Sequence, residues 1–263
     1  MQGEPDNPVA IVAGAGTGTG IGAACAQALA NRGYRIAVNF NRSQSEAERT
    51  VTRCRETGAA SMPVQGNIAN DEDCRRIVAT TVDEWGGIDL LVNNAGITCY
   101  ADQDDLEALS KDDFENIMSV NVSGTYQMTR AAAPHLKVSG NAAVVNISSH
   151  SGFSGIGSSM AYAASKGALN TMTLSLARSL APSIRVNAVC PGFVDTDWMS
   201  AKLDAQELTA FKARVAAISP LQRVVTAADV AEAVCWLGIN AQSITGQLLV
   251  IDGGTHLTTG NPL

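Results

Sequence analysis

The chain has 263 residues, 46% of them hydrophobic, 16% charged and 5% aromatic, and 18 Lys and Arg against 25 Asp and Glu give a net charge of −7. High apolar content with low charge excludes disorder over most of the length, a chain of this size buries roughly 70–75% of its unfolded surface without a disulfide or metal staple, and the acidic balance speaks against nucleic acid as a partner. The six cysteines, at 25, 54, 74, 99, 190 and 235, are scattered with no C-x-x-C pair and no paired histidines, so neither a metal site nor a disulfide framework is expected, and a reducing cytoplasm is the expected compartment.

The start, Met1-Gln2-Gly3-Glu4-Pro5-Asp6, is too acidic and polar for a secretory signal, and no later apolar run approaches the roughly 18 residues of a membrane span. The first predicted strand, Val9–Ala13, runs into Gly14-Ala15-Gly16-Thr17-Gly18-Thr19-Gly20-Ile21-Gly22, and an apolar stripe at Ile21, Cys25, Ala28 and Leu29 predicts a helix directly behind it. A second strand, Arg35–Phe40, is followed by Asn41, Arg42 and Ser43, and a third, Met62–Gly66, by Asp71 and Asp73 at the start of a helix. The fourth strand, Leu90–Asn93, leads into Asn94-Ala95-Gly96, and the fifth, Ala142–Ile147, ends at Ser148-Ser149. Tyr162-Ala163-Ala164-Ser165-Lys166 opens a helix striped by Leu169, Met172, Leu176 and Leu180. A sixth strand, Ile184–Val189, is followed by a stretch without a strand, Asp195–Leu221, then by a helix opened by Thr226 or Asp229 and a last strand, Gln247–Ile251.

These strands read as continuous apolar runs, such as Ile36-Ala37-Val38 and Leu90-Leu91-Val92, rather than as alternation. Strands buried on both faces have that pattern. Seven of them alternating with helices predict an α/β fold of Rossmann type: a doubly wound, seven-stranded parallel sheet flanked by helices on both faces. No linker, repeat or low-complexity segment divides the chain, so residues 1–263 are expected to form a single dinucleotide-binding and catalytic domain, with 195–221 as a substrate-side insertion.

In such sheets ligands bind beyond the carboxyl ends of the strands, where the glycine turn and the other motifs fall. Glycines there permit a tight turn and a close approach of backbone to a pyrophosphate, and the following helix offers free N–H groups to its phosphates. An NAD-selective site normally places an acid after the second strand to accept from the ribose hydroxyls. Here Arg42 and Ser43 stand instead, and a guanidinium suits a 2′-phosphate, so NADP(H) is the preferred cofactor, with NAD(H) possible. Tyr162 and Lys166, at i and i+4, share one helix face. A nearby cation favours the phenolate, and a hydroxyl that hydrogen-bonds the reacting oxygen completes an acid–base site for a carbonyl/alcohol pair.

Taken in order, the glycine turn, Asn93-Asn94-Ala95-Gly96, Asn121-Val122-Ser123-Gly124, Ser149, Tyr162-x-x-x-Lys166, Pro191-Gly192 with Thr196, and Ile244-Thr245-Gly246 through Asp252-Gly253-Gly254 make the chain resemble the short-chain dehydrogenase/reductase family from about Val9 to Gly254. The resemblance implies Tyr162 as acid in reduction and base in oxidation, Ser149 as the residue that polarises the substrate oxygen, with Ser148 as its structural neighbour, and Lys166 as the group that lowers the tyrosine pKa and holds the nicotinamide ribose. It implies that Asn121, in a kinked helix, keeps a water that links the lysine to solvent. It further implies that Gly14, Gly16, Thr19, Gly20 and Ile21 cradle the pyrophosphate, that Asn41, Arg42, Ser43, Asn67, Ile68, Asn94, Ala95 and Gly96 line the adenosine side, and that Pro191, Gly192, Val194 and Thr196 meet the nicotinamide. The chain departs from the family pattern twice. Its glycine turn either carries two inserted residues after Gly14 or uses Gly16 with Ala15 in the usual Thr position, and Asn67 stands where Asp is usual.

Substrate contacts are expected from Ser149, His150, Phe153, Met160, Phe193 and Trp198, together with Tyr100, Ile156 and Met199. That largely apolar wall suits a medium-sized ketone or secondary alcohol, a small molecule. The pattern is most similar to 3-oxoacyl-(acyl-carrier-protein) reductases, which is the alternative reading, although Arg178 and Lys137 are the only evident cations for an acidic carrier. An NAD-dependent alcohol dehydrogenase is a second alternative. A cofactor-sensing protein on this fold would lack Tyr162 or Lys166, and both are present. The helix Asn121–Ala133 and the one after Tyr162 are expected to pack against further subunits, as in a homotetramer or homodimer.

Overall fold

The computed structural model describes residues 7–198 and 203–258; the opening residues 1–6 and Met199, on which expectations were placed, lie outside them. Seven parallel strands form the main sheet: β1 (Val9–Ala13), β2 (Arg35–Phe40), β3 (Ser61–Gln65), β4 (Leu90–Asn93), β5 (Ala142–Ile147), β6 (Ile184–Pro191) and β9 (Leu248–Ile251), in the order β3-β2-β1-β4-β5-β6-β9. The doubly wound architecture expected from the apolar runs is the one observed. Every residue of β1, β4 and β5 is buried, because side chains alternate between two covered faces. Ala10, Val12, Leu90, Val92, Ala143 and Val145 join one apolar core with α1 (Ile21–Ala30), α2 (Gln44–Glu56) and α9 (Ala227–Cys235). Ile11, Leu91 and Val144 join the other, with α3 (Asp71–Trp85), α5 (Thr125–Leu136) and α7 (Met160–Leu180).

Local signals explain the helix ends. Asn70 caps α3 by accepting from the Asp73 N–H at 3.1 Å, and Gly86, at φ 85°, closes it in the left-handed conformation that glycine tolerates. Thr226 and Asp229 form a reciprocal capping box at the start of α9. A π-helical turn, Ser119–Gly124, joins α4 (Lys111–Met118) to α5.

The stretch read as strandless, Asp195–Leu221, is flanked by a short strand pairing that sequence reading did not give. β7 (Val194–Asp195) pairs in parallel with β8 (Val225–Thr226), and α8 (Ala205–Ile218) lies between them in sequence. A two-residue strand has no periodicity to read. Its effect is to tie the segment after β6 to the start of α9. The order of the main sheet reverses at β1, which lies between β2 and β4. The loops leaving β1 and β4 therefore part on either side of a crevice, and ligands of such sheets bind there.

Candidate active site

The crevice is a cleft of about 1500 Å³ running from the end of β2 to the start of α7. At its centre is the glycine turn. Gly14 follows β1 directly with φ +71°, and a Cβ there would stand 2.5 Å from the Ala95 Cα. Only glycine permits both. Its N–H donates to the Asn39 Oδ1 at 3.2 Å and its carbonyl accepts from the Asn94 Nδ2 at 2.8 Å. Gly14 is thus the strand-end glycine, and Gly18 and Thr19 fall in the longer arm of the turn, which is the inserted reading. That arm is held on both sides, by Arg53 of α2 donating to the Gly18 carbonyl and by the Thr19 hydroxyl donating to the Asp197 carboxylate. Gly16 lies against Phe40. Gly20 precedes α1 without a side-chain cap, so the first N–H groups of α1 are left for an anion.

At the β2 end, Asn41, Arg42 and Ser43 are exposed along the cleft, and the Ser43 side chain makes no cap hydrogen bond to α2. Arg49 lines the same end, 2.7 Å from Glu46. The Asn67 Oδ1 accepts from the Ala69 N–H at 3.1 Å, so its carbonyl is engaged in a local turn. Ile68 is buried against Gly124. Across the crevice, Gly96 leaves room beside two groups: a Cβ there would lie 3.4 Å from the Asn121 Oδ1 and 3.7 Å from the Lys166 Nζ.

The far end gathers Ser149, Tyr162 and Lys166, from which acid–base chemistry is expected. Ser159 caps α7 by accepting from the Tyr162 N–H at 3.2 Å, which places Tyr162 and Lys166 one turn apart and facing the cleft. Lys166 is buried; its Nζ donates to the Ile147 carbonyl at 2.8 Å and stands 5.6 Å from the centre of the Tyr162 ring. Ser149, also buried, accepts from the Ser151 N–H at 3.1 Å. Ser148 instead donates to the Asn170 Oδ1 at 2.6 Å, on the structural side of the pair. Burial drives the two titratable groups in opposite directions. The phenol is pushed up to about 12, with the Ser149 hydroxyl pulling the other way, and the ammonium is pushed down to about 8. The Lys166 ammonium is turned to the Ile147 carbonyl and to the face of the Tyr162 ring. The Asn121 side chain clamps the peptide of Ile97, accepting from the N–H at 2.8 Å and donating to the carbonyl at 3.0 Å, and donates to the Ser165 hydroxyl at 3.0 Å. The clamp holds the loop after β4 onto α7.

The segment after β6 forms the roof. Pro191 accepts the His150 N–H at 2.8 Å, and Gly192 is pressed on Asp252, where a Cβ would be 2.7 Å from the Asp252 Cβ. Val194 and Thr196 line the cleft, and Phe193 is met edge-on by Phe211 of α8 at 4.9 Å. Trp198 stands 6.5 Å from the Tyr162 ring, and its carbonyl accepts from the Tyr100 hydroxyl at 3.0 Å. The walls thus bring together His150, Phe193, Trp198, Tyr100 and Ile156 around Ser149 and Tyr162. Phe153 and Met160 are not among them, being 51% and 40% exposed. Met160 lies two residues before Tyr162, about 200° around the helix, and Phe153 follows Gly152, the residue of α6 (Ser151–Ser154) that is pressed on Lys166. Sequence reading missed Asn39, whose amide joins the ends of β1 and β3 through Gly14, Val64 and Gly66. A buried Asn closing an apolar strand was the available signal. It also missed Asp197 and Phe211, which no local pattern marks.

Residues 14–256 match a family model described as enoyl-(acyl carrier protein) reductase. The chain is 41% identical over 257 residues to the protein from Streptomyces violaceoruber named as ketoacyl reductase 2 of the granaticin polyketide synthase, covering 96% of this chain and 98% of that one. It is 36% identical to a 2-(R)-hydroxypropyl-CoM dehydrogenase from Xanthobacter autotrophicus, covering 84% and 88%. It is 33% identical to a 3-oxoacyl-[acyl-carrier-protein] reductase from Staphylococcus aureus, covering 86% and 89%. A solved structure of a protein from Burkholderia xenovorans, assigned to the short-chain dehydrogenases/reductases, superposes with a TM-score of 0.90 at 38% identity, covering 97% of this chain and all of that one.

Proposed function

Because the chain belongs to the short-chain dehydrogenase/reductase family and is an oxidoreductase of the CH–OH/C=O couple, we propose that it reduces a small-molecule ketone with NADPH, Tyr162 supplying the proton. The observation that carries this reading is the convergence of Ser149, Tyr162 and Lys166 at one end of a cleft whose middle is the Gly14 turn. The residues fit a dinucleotide: a positive-φ glycine at a strand end, an uncapped helix start, and Arg42 with Ser43 where an acid would select NAD(H). A nicotinamide cofactor bound there would supply the hydride for the carbonyl carbon.

The chain's own groups do the rest. Ser149 orients the carbonyl oxygen by hydrogen bonding, and the Tyr162 hydroxyl, kept protonated by burial, donates its proton to that oxygen as charge develops on it. Lys166 offers its Nζ to the ribose side of the cleft, while Asn121 and Ser165 hold the loop and helix in place. Arg42 reads the 2′-phosphate. The whole of 1–263 acts as one dinucleotide-binding and catalytic domain with 195–221 as its substrate-side insertion. The free cysteines suit the cytoplasm, and apolar surface at Phe114, Tyr126 and Leu174 suits a homotetramer or homodimer.

The names of the relatives favour a second reading, reduction of a 3-oxoacyl group on an acyl carrier protein. Against it stand exposed Asp102, Asp104, Asp105 and Glu107 on the loop after β4, which reaches the cleft at Ala101–Gln103; an acidic carrier is repelled there. Titrating the protein with NADPH and NADH by fluorescence, then assaying ketones and an acyl thioester, tests the reading. Arg42→Ala is expected to weaken NADPH by roughly 10–100-fold, the worth of a charge-assisted contact, and to leave NADH unchanged. Equal binding of both cofactors by the wild type overturns the phosphate assignment. Retained ketone reduction in Tyr162→Phe overturns the acid.

A further inference from the structure

Beneath the far end of the cleft, one amide oxygen gathers contacts from two strand ends. Asn170 lies on α7 one helical turn after Lys166 and is 5% exposed. Its Oδ1 accepts from the Ser148 hydroxyl at 2.6 Å and from the Cys190 thiol at 3.7 Å. Ser148 directly precedes Ser149 just past β5, and Cys190 directly precedes Pro191 at the end of β6. The Ser148 oxygen also stands 3.2 Å from the Lys166 carbonyl. The two strand ends are already joined through the backbone, the Ser148 N–H donating to the Val189 carbonyl and the His150 N–H to the Pro191 carbonyl, each at 2.8 Å. What Asn170 adds is a tie from both of them to the helix that carries Lys166.

The amide is only half used. Its Nδ2 is buried with no hydrogen-bond partner among the described residues. Gly152 closes over it: a Cβ there would stand 2.8 Å from the Nδ2 and 2.7 Å from the Lys166 carbonyl carbon. A buried donor left unmet costs folding free energy that an apolar side chain of similar volume does not. Stability therefore gives no reason for an asparagine at this place, whereas its oxygen holds the neighbours of Ser149 and of Pro191. Side chains that break a packing rule in this way are expected where function retains them.

We propose that Asn170 is a positioning residue for the reduction: by holding Ser148 and Cys190 on one oxygen, it keeps the Ser149 hydroxyl and the Lys166 side chain at the spacing that proton transfer to the substrate oxygen requires. Neither Asn170 nor Cys190 lines the cleft, so the effect is exerted through Ser149 and Lys166. A misplacement of about 1 Å at a reacting group costs on the order of 100-fold in rate, and a tie of this kind is therefore read in kcat rather than in binding. The inference rests on the reductase reading of the same site.

The test compares wild type with Asn170→Leu, which keeps the volume and removes the oxygen, and with Asn170→Asp, which keeps the oxygen and gives up the unmet donor. Urea unfolding, NADPH affinity by fluorescence, and kcat and KM for ethyl acetoacetate are measured for each. Asn170→Leu is expected to unfold at the same urea concentration as wild type or a higher one and to bind NADPH within about threefold. Its kcat is expected to fall roughly 10–100-fold with KM nearly unchanged. Asn170→Asp recovers most of that loss. Ser148→Ala, which removes the nearer donor, lowers kcat in the same way and adds little when combined with Asn170→Leu, because the two substitutions break one contact. Where Asn170→Leu does not fold, Ser148→Ala and Cys190→Ala carry the test, singly and together. Wild-type kcat in the variants, losses that Asn170→Asp does not restore, or a loss of stability with kcat intact overturn the inference alone. A wild type that binds NADPH and reduces no carbonyl compound overturns the reductase reading beneath it.

Discussion

Tyr162 and Lys166 face the same cleft one helical turn apart, yet burial separates their ionisation, the phenol rising to about 12 and the ammonium falling to about 8. The consequence for pH dependence follows from the signs. Across neutral pH the phenol keeps its proton, so that under the proposed mechanism it serves as acid without titrating. The lysine is charged below pH 8 and loses its charge as pH rises through that value. The rate of ketone reduction, read as kcat/KM, is therefore expected to be level on the acid side and to fall above about pH 8. A guanidinium stays charged throughout, so Lys166→Arg, where it retains activity, is expected to move the falling limb to higher pH. A limb that stays in place assigns it to another group. The same burial that shifts Lys166 makes its one hydrogen bond, to the Ile147 carbonyl, worth more than it would be in water.

The glycine turn is the element on which the cofactor reading depends, and its shape is set by contacts from three directions. Ala95 presses on Gly14 from the loop after β4, Asn39 receives its N–H from the end of β2, and Arg53 of α2 holds the Gly18 carbonyl in the longer arm. A Cβ at position 14 meets both a steric wall at 2.5 Å and an unfavourable φ of +71°. Gly14→Ala is expected to cost about 1–3 kcal/mol of stability, the usual scale for a strained backbone position, measured by urea unfolding, and to weaken NADPH binding as the turn shifts. Gly33, with φ +83° and no atom within 4 Å of a Cβ, offers the comparison: Gly33→Ala carries only the backbone strain and lies away from the cleft, so its effect on stability is smaller and its effect on cofactor binding absent. Equal weakening of NADPH by both substitutions would refute the local account.

At the scale of the whole molecule the cleft joins the two halves of the sheet, with walls from the ends of β1, β2, β4, β5 and β6. A ligand that touches all of them stabilises the folded state by mass action. NADPH at 100 times its Kd is expected to add about 2.7 kcal/mol, which for a chain of this size raises Tm by roughly 5–10 °C; a scan with and without NADPH checks it, and no shift at saturation would mean no site. How much of this was legible in the sequence depends on whether the signal was local. The seven strands, the glycine turn after β1 and the Tyr162–Lys166 spacing were legible because each rests on neighbours in sequence: buried runs, φ-permissive residues, helical periodicity. The tertiary structure decided the rest. It placed Gly14 rather than Gly16 at the strand end through Ala95, eighty-odd residues away, turned Phe153 and Met160 out of the pocket, and gave Asn121 to the Ile97 peptide. It brought Asp197 to Thr19 and Phe211 to Phe193 across the cleft. Burial also raises the Tyr162 phenol in the chain by itself, because ionisation follows the polarity of the surroundings, and burial is a property of the folded whole that residue spacing does not encode.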